Sequence, residues 1–315
     1  MKSKSMKRII KIGTRESPLA LWQANKVASL LESLGQKVTL IPITSSGDIE
    51  LTQPLYEMGI TGIFTKNLDI ALIEGRIDLA VHSMKDVPTK LPKGLSQMAV
   101  LERAAYEDVL ISPPNKPFPK DTNETMTIAT GSLRRKAQWL HKYPNHHIVN
   151  LRGNVNTRLR KLSENPWQGA IFAKAGLERI ELLAENHQVL DWMLPAPAQG
   201  IVMVAGRTED KELMALATQI NNREAAVAAH IERSFLQTLE GGCTAPIGAL
   251  AKLEGDTIHF EGALFSLDGK QKITHTLKGS VHDFQDLGVL AAKEIRDKGG
   301  VSLLKEIEAQ LKKNE

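Results

Sequence analysis

The chain has a single cysteine, Cys243, among 315 residues. No internal disulfide can form, and a reducing compartment, the cytoplasm, is expected. No apolar run approaches the roughly 20 residues that a bilayer-spanning helix needs. The basic start, Met1 to Arg8, leads only into a short apolar strand, without an h-region or a small-residue cleavage site, so no export signal is read. Neither GxGxxG, a P-loop, HExxH nor CxxC occurs, and a Ser/His/Asp triad has no motif to anchor it. His141, His146 and His147 cluster, but no second ligand set has zinc spacing; they read as loop histidines, and no metal is expected.

One further absence says more. Residues 125–163 contain no Asp or Glu yet hold eight Lys or Arg. The whole chain carries 40 basic and 36 acidic side chains, a net of +4, so everything outside that segment sums to −4. Such a concentration repels itself and calls for an anionic partner. A solvated basic face is the plain alternative.

At this length two or three domains are expected. Ile9–Ile12 reads as a strand, and Ser17-Pro18 as N-cap and first turn of a helix ending near Gly35. Val38–Ile43 is a strand, a helix from Thr65 to Glu74 stops at Gly75, and Ile77–Val81 is an apolar strand. This βαβα order implies a parallel or mixed sheet covered by helices. Four prolines between Pro113 and Pro119 make a loop. A second α/β pattern follows: strands at Met126–Thr130, Ile148–Leu151 and Ala170–Ala173, with helices at Ser132–His141, after Asn154 and at Leu177–Glu185. Pro195–Gly200 reads as a crossing segment into a strand, Ile201–Ala205, and Arg223–Leu239 as a helix ended by Gly241-Gly242. Beyond it, Ile247–Leu253, Thr257–Leu264 and Ile273–Leu277 pattern as antiparallel strands around turns, with two terminal helices. The expectation is an α/β protein of two domains, 1–102 with 200–220 and 103–199, plus an α+β domain over 221–315.

Thr130-Gly131-Ser132 joins a strand to a helix, a geometry that presents backbone N–H groups to an anion. Arg134 and Arg135 then fall in the first helical turn, where cations oppose the helix dipole at a cost of roughly 0.3–1 kcal/mol each when exposed. Arg152 follows a strand and Arg158 lies one turn into the next helix. Arginines near the carboxyl ends of two strands could converge where open α/β sheets bind ligands, and arginine grips carboxylate with a two-pronged fork. Asp86, beside Lys85, sits in a loop at a strand end, a place for either a solvated or a catalytic carboxylate; Arg15 and Ser17 sit equivalently after the first strand. Cys243, among small residues at a helix end, reads as an inert buried thiol or an attachment point. A nucleic-acid binder would explain the basic segment, but only Trp139 and Tyr143 offer stacking there. A solute-binding protein would share the α/β architecture without needing Cys243 or Asp86.

The segments Gly13-Thr14-Arg15-Glu16-Ser17-Pro18-Leu19-Ala20, Val81-His82-Ser83-Met84-Lys85-Asp86-Val87-Pro88, Gly131-Ser132-Leu133-Arg134-Arg135, Leu151-Arg152-Gly153-Asn154-Val155 with Thr157-Arg158, and Glu240-Gly241-Gly242-Cys243 with Pro246-Ile247-Gly248 together resemble the hydroxymethylbilane synthase (porphobilinogen deaminase) family. The resemblance covers nearly the whole chain. It implies two periplasmic-binding-protein-like α/β domains plus a C-terminal α+β domain carrying the cysteine. It implies a dipyrromethane cofactor held by Cys243 through a thioether, with Lys85, Ser132, Arg134 and Arg135 around it. Asp86 becomes the catalytic carboxylate, and Arg15, Ser17, Arg152, Arg158, Arg179 and Gln199 become binding residues for porphobilinogen, with no nucleic-acid or membrane partner and a monomeric state. Three positions depart from the family pattern: Glu57–Gly62 lacks the usual lysines, Gly131 stands where serine is common, and Ala198 replaces a frequent glycine.

Overall fold

The computed structural model describes residues 8–44, 65–114, 116, 124–239 and 245–313. Cys243, the glycines before it and the loop Glu57–Gly62 lie outside the described residues. The chain divides into two compact units, one built from residues up to 104 together with 200–226, the other from 105–199 and 227–313.

The first unit is a five-stranded mixed sheet in the order β2-β1-β3-β10-β4. Its strands are β1 (Ile10–Thr14), β2 (Val38–Pro42), β3 (Leu79–Ser83), β4 (Leu95–Val100) and β10 (Val202–Arg207). β1 runs parallel to β2 and β3, whereas β10 is antiparallel to β3 and β4. Helix α1 (Pro18–Ser33) starts as the sequence dictates, with Ser17 as N-cap and Pro18 in the first turn. Its buried stripe, Ala20, Gln23, Ala24, Val27, Ala28 and Leu31, follows the helical repeat and lies on the sheet. Leu31 is fully buried, which stabilises the layer by about 2 kcal/mol. Helix α2 (Lys66–Ile73) covers the sheet next to β3, and Gly75, at φ +72°, turns the chain out of it. The antiparallel β4 and helix α6 (Lys211–Ala217) add to the elements expected from the sequence.

The second unit contains another five-stranded mixed sheet, β7-β6-β8-β5-β9. Its elements are β5 (Asp108–Ile111), β6 (Thr127–Ala129), α3 (Leu133–Lys142), β7 (His147–Val149), α4 (Val155–Glu164), β8 (Gly169–Ala173), α5 (Lys174–Glu178) and the short β9 (Gln188–Val189). The helix expected over Leu177–Glu185 is instead α5, ending at Glu178. Glu181 adopts φ +56°, a left-handed turn that no α-helix continues through, and the Leu182 N–H closes back on the Leu177 carbonyl. Of the three histidines expected in a loop, only His146 lies in one, between α3 and β7. His141 closes α3, His147 opens β7, and His146 is buried with its Nδ1 accepting from the Trp139 indole N–H at 3.1 Å.

The same unit holds helix α7 (Arg223–Thr238) and the antiparallel sheet β11-β12-β13, formed by Ile247–Glu254, Thr257–Phe265 and Lys272–Ser280. Helices α8 (Leu287–Ile295) and α9 (Val301–Lys312) complete it. Phe235, Phe260, Ile258, Ile295 and Leu303 share one core there. Glu232, fully buried, ties this part to the crossing segment: its carboxylate accepts from Ala198 N–H at 2.6 Å and Ala251 N–H at 2.7 Å.

Candidate active site

In the first unit β1 and β3 are parallel neighbours, so their carboxyl ends deliver the following residues to one edge of the sheet. β1 brings Arg15 and Ser17. β3 brings Ser83, and the 3-10 turn after it, Met84–Asp86, brings Lys85 and Asp86. At this edge a pocket of about 80 Å³ is lined by Arg15, Ser17, Gln23, His82, Ser83 and Asp86. Ser17 Oγ accepts from Ala20 N–H at 3.4 Å, which spends a lone pair on the helix and leaves the hydroxyl proton to donate. Ser83 Oγ accepts from Gln23 Nε2 at 2.8 Å. His82 is 6% exposed; burial, assisted by the Arg15 cation, pulls its pKa from 6.5 to about 4. The ring is therefore neutral at pH 7 and adds no charge beside Asp86.

In the second unit β7, β6 and β8 are parallel, and Asp108 at the start of the antiparallel β5 pairs with Ala173 at the end of β8. Asp108 and the residues leaving these three strands thus share one edge. Ser132, after β6, caps α3 by accepting from Arg135 N–H at 3.4 Å. Arg134 and Arg135 do not lie on a solvated face: each is 5% exposed. Arg135 donates through Nε and Nη2 to Asp108 Oδ1 at 3.1 and 2.8 Å, and through Nη1 to the Ile171 carbonyl at 3.0 Å. Arg134 Nη1 lies 2.8 Å from Asp108 Oδ2 and donates to the Leu194 carbonyl at 2.7 Å. Burial pushes the Arg134 pKa down and Asp108 opposes that. Gln199 is fully buried, and its amide nitrogen donates to Asp108 Oδ1 at 2.9 Å and to the Tyr106 carbonyl at 2.8 Å.

Two arginines on one aspartate make a cluster of net charge +1 at the mouth of a helix N-terminus, a setting that favours an anion. The other arginines follow the carboxyl ends of β7 and β8 in the same sheet. Arg152 is 4% exposed on the segment leaving β7, and Arg158 in α4 donates from Nε to the Gly153 carbonyl at 2.7 Å. Arg179 follows α5, and burial draws its pKa down to about 10. Gly131 permits the close packing of this edge: a Cβ there would stand 2.7 Å from the Leu151 carbonyl oxygen, so a serine would not fit this backbone.

The strand that follows Cys243 in sequence packs closely on Leu194. Gly248, five residues after Cys243, lies so close to Leu194 that a Cβ would meet the Leu194 Cβ at 2.7 Å, and the Ala249 N–H donates to the Pro195 carbonyl at 3.0 Å. Leu194 is the residue whose carbonyl Arg134 holds.

Asp108, His82, Ser83 and Gln23 were missed as site residues in the sequence. Asp108 opens a strand without any local sign of function. Gln23 carried one signal: a polar residue on an otherwise apolar helix stripe. Among the described residues no group of His, Cys, Asp and Glu could hold a metal ion, and no helix is long and apolar enough to cross a membrane.

Comparison with known proteins gives a consistent result. Residues 10–215 match the family profile "Porphobilinogen deaminase, dipyromethane cofactor binding domain", and residues 226–297 match "Porphobilinogen deaminase, C-terminal domain". The porphobilinogen deaminase of Syntrophomonas wolfei is 40% identical over 301 residues, 94% of this chain and 98% of that protein. That of Pelotomaculum thermopropionicum is 41% identical over 304 residues, 95% of this chain and 97% of that protein. Among solved structures, the Bordetella pertussis BvgS periplasmic VFT2 domain is similar with a TM-score of 0.41 and 15% identity, covering 69% of this chain and 90% of that one.

Proposed function

The chain belongs to the porphobilinogen deaminase family, and we propose that it is a hydroxymethylbilane synthase. It condenses four porphobilinogen molecules, with loss of ammonia, onto a dipyrromethane cofactor and releases the linear tetrapyrrole by hydrolysis. The observation that carries the reading is the pocket in which Asp86 stands with Arg15, Ser17 and Ser83 at the end of two parallel strands.

The residues fit the cofactor. The positive Arg134–Arg135–Asp108 cluster suits its carboxylates, and Gly248, in the strand that follows Cys243 in sequence, packs on Leu194, whose carbonyl Arg134 holds. When bound, the dipyrromethane supplies a covalent anchor and the free pyrrole carbon from which the product is built. In the second unit Cys243 is the attachment point, with Ser132, Arg134 and Arg135 holding carboxylates and Arg152, Arg158 and Arg179 offering further cations to a growing polyanion. Gln199 acts through Asp108, whose carboxylate it helps to fix.

In the first unit Arg15 and the Ser17 and Ser83 hydroxyls bind the acetate and propionate groups of porphobilinogen. Asp86 accepts the pyrrole N–H. As ammonia leaves, positive charge spreads over the ring, and the fixed carboxylate stabilises it; removing one such preorganised electrostatic partner typically costs ~10²–10³ in rate. The same carboxylate can move the proton that the ring loses on regaining aromaticity. Neutral His82 leaves that negative charge undiminished. Lys85, beside Asp86, adds a cation for the substrate's acids.

Three sheets, two of α/β type and one α+β, support the division into 1–102 with 200–220, 103–199 and 221–315. The same reading takes the working form to be a cytoplasmic monomer, which size-exclusion chromatography and cell fractionation check.

The test is intact mass under denaturing conditions together with porphobilinogen consumption. A mass excess of two pyrrole units is expected, lost with most activity in Cys243→Ser. An unchanged mass excess and turnover in that variant would sink the proposal.

A further inference from the structure

Helix α1 presents five apolar residues and one glutamine to the sheet. Gln23 is 2% exposed in that stripe. A buried amide is costly unless hydrogen-bonded, so a sequence selected only for packing would carry Leu or Met there. Its amide nitrogen instead donates to Ser83 Oγ at 2.8 Å, and both residues line the pocket with Arg15 and Asp86.

A serine hydroxyl has one proton and can accept at its lone pairs. With Gln23 donating to the oxygen, the Ser83 proton must point away from the helix. Among the described residues, none accepts that proton. We infer that Gln23 is a positioning residue: it fixes Ser83 as an acceptor toward α1 and thereby turns the Ser83 O–H into the pocket, where it donates to a carboxylate oxygen of the substrate. The inference rests on the reading that this pocket takes porphobilinogen.

The geometry separates this role from simple core filling. A group that can only accept, placed at position 23, would draw the Ser83 proton back toward the helix. A group that neither donates nor accepts would let the hydroxyl rotate. In each case one oriented donor is lost from the pocket, with little change in packed volume.

The test is a double-mutant cycle on the holoenzyme, with initial rates in porphobilinogen, cofactor occupancy by intact mass and thermal unfolding for each variant. Gln23→Met and Ser83→Ala should each lower kcat/KM about tenfold with the cofactor still attached. The double variant should match Ser83→Ala within about twofold, because Gln23 acts through Ser83. Gln23→Glu preserves shape and should be poorer than Gln23→Met at neutral pH. Multiplying losses in the double variant, a wild-type kcat/KM in Gln23→Met, or full activity in Gln23→Glu would each overturn the inference. Absence of turnover and of the pyrrole adduct in the unmutated protein would instead overturn the functional reading beneath it.

Discussion

Asp108 and Arg135 form a buried ion pair in which both Nε and Nη2 of the arginine reach the same carboxylate oxygen, at 3.1 and 2.8 Å. Arg134 adds its own Nη1 at 2.8 Å from the other oxygen. The acid-free basic segment therefore finds one anionic partner inside its own fold, contributed by a strand that precedes it. Asp108→Ala would leave two buried guanidinium groups around a void. Loss of one member of such a pair typically costs about 3–5 kcal/mol, and urea unfolding of the variant should show a loss of that order. A change under about 1 kcal/mol would mean that the cluster does not hold the second unit together.

His82 predicts an acid limb in stability. Its pKa is about 4 in the fold against 6.5 ordinarily, first through burial and then through the Arg15 cation. Above pH 6.5 the ring is neutral in both folded and unfolded chains and contributes no slope. Between 6.5 and 4 only the unfolded chain takes up the proton, so stability falls as pH falls, by about 3 kcal/mol across the window. His82→Gln should show a shallower fall over the same range. Parallel curves for the two proteins would refute the assignment.

Asp86→Asn keeps size and shape while removing the charge. The variant should fold normally, and its turnover should drop by at least ~10²–10³. Steady-state rates beside a circular dichroism spectrum make the comparison. Near-normal turnover would remove Asp86 from the chemistry.

Ala198 sits at φ +62° with no exposed surface, and its N–H is held by Glu232. An L-residue pays about 1–2 kcal/mol in that region, and glycine's greater freedom returns roughly 0.5–1 kcal/mol of it to the unfolded chain. Ala198→Gly is therefore expected to be neutral or stabilising by up to about 1 kcal/mol. Ala198→Val, whose branch does not tolerate positive φ, should lower the melting temperature markedly. A destabilised glycine variant would show that the alanine methyl contributes more through packing than its backbone strain costs.

What the sequence determined by itself was local or carried by short motifs. Ser17-Pro18 set the start of α1, Asn154 capped α4, Gly35 and Gly75 ended helices, and alternating strands with turn residues gave β11 to β13, because caps, turns and periodicity act within a few residues. The motifs around Arg15, Asp86, Arg134 and Cys243 were legible as a set in their order along the chain. The tertiary structure alone decided what those residues touch. Asp108 meets Arg135 across 27 positions, Gln23 meets Ser83 across 60, and Arg134 meets Leu194 across 60. Such pairings leave no periodic trace, since they arise when parallel and antiparallel strands bring distant ends to one edge. Burial then sets their chemistry: the neutral ring of His82 and the lowered pKa of Arg179 come from exclusion of water, a property of the folded chain and not of any short segment of it.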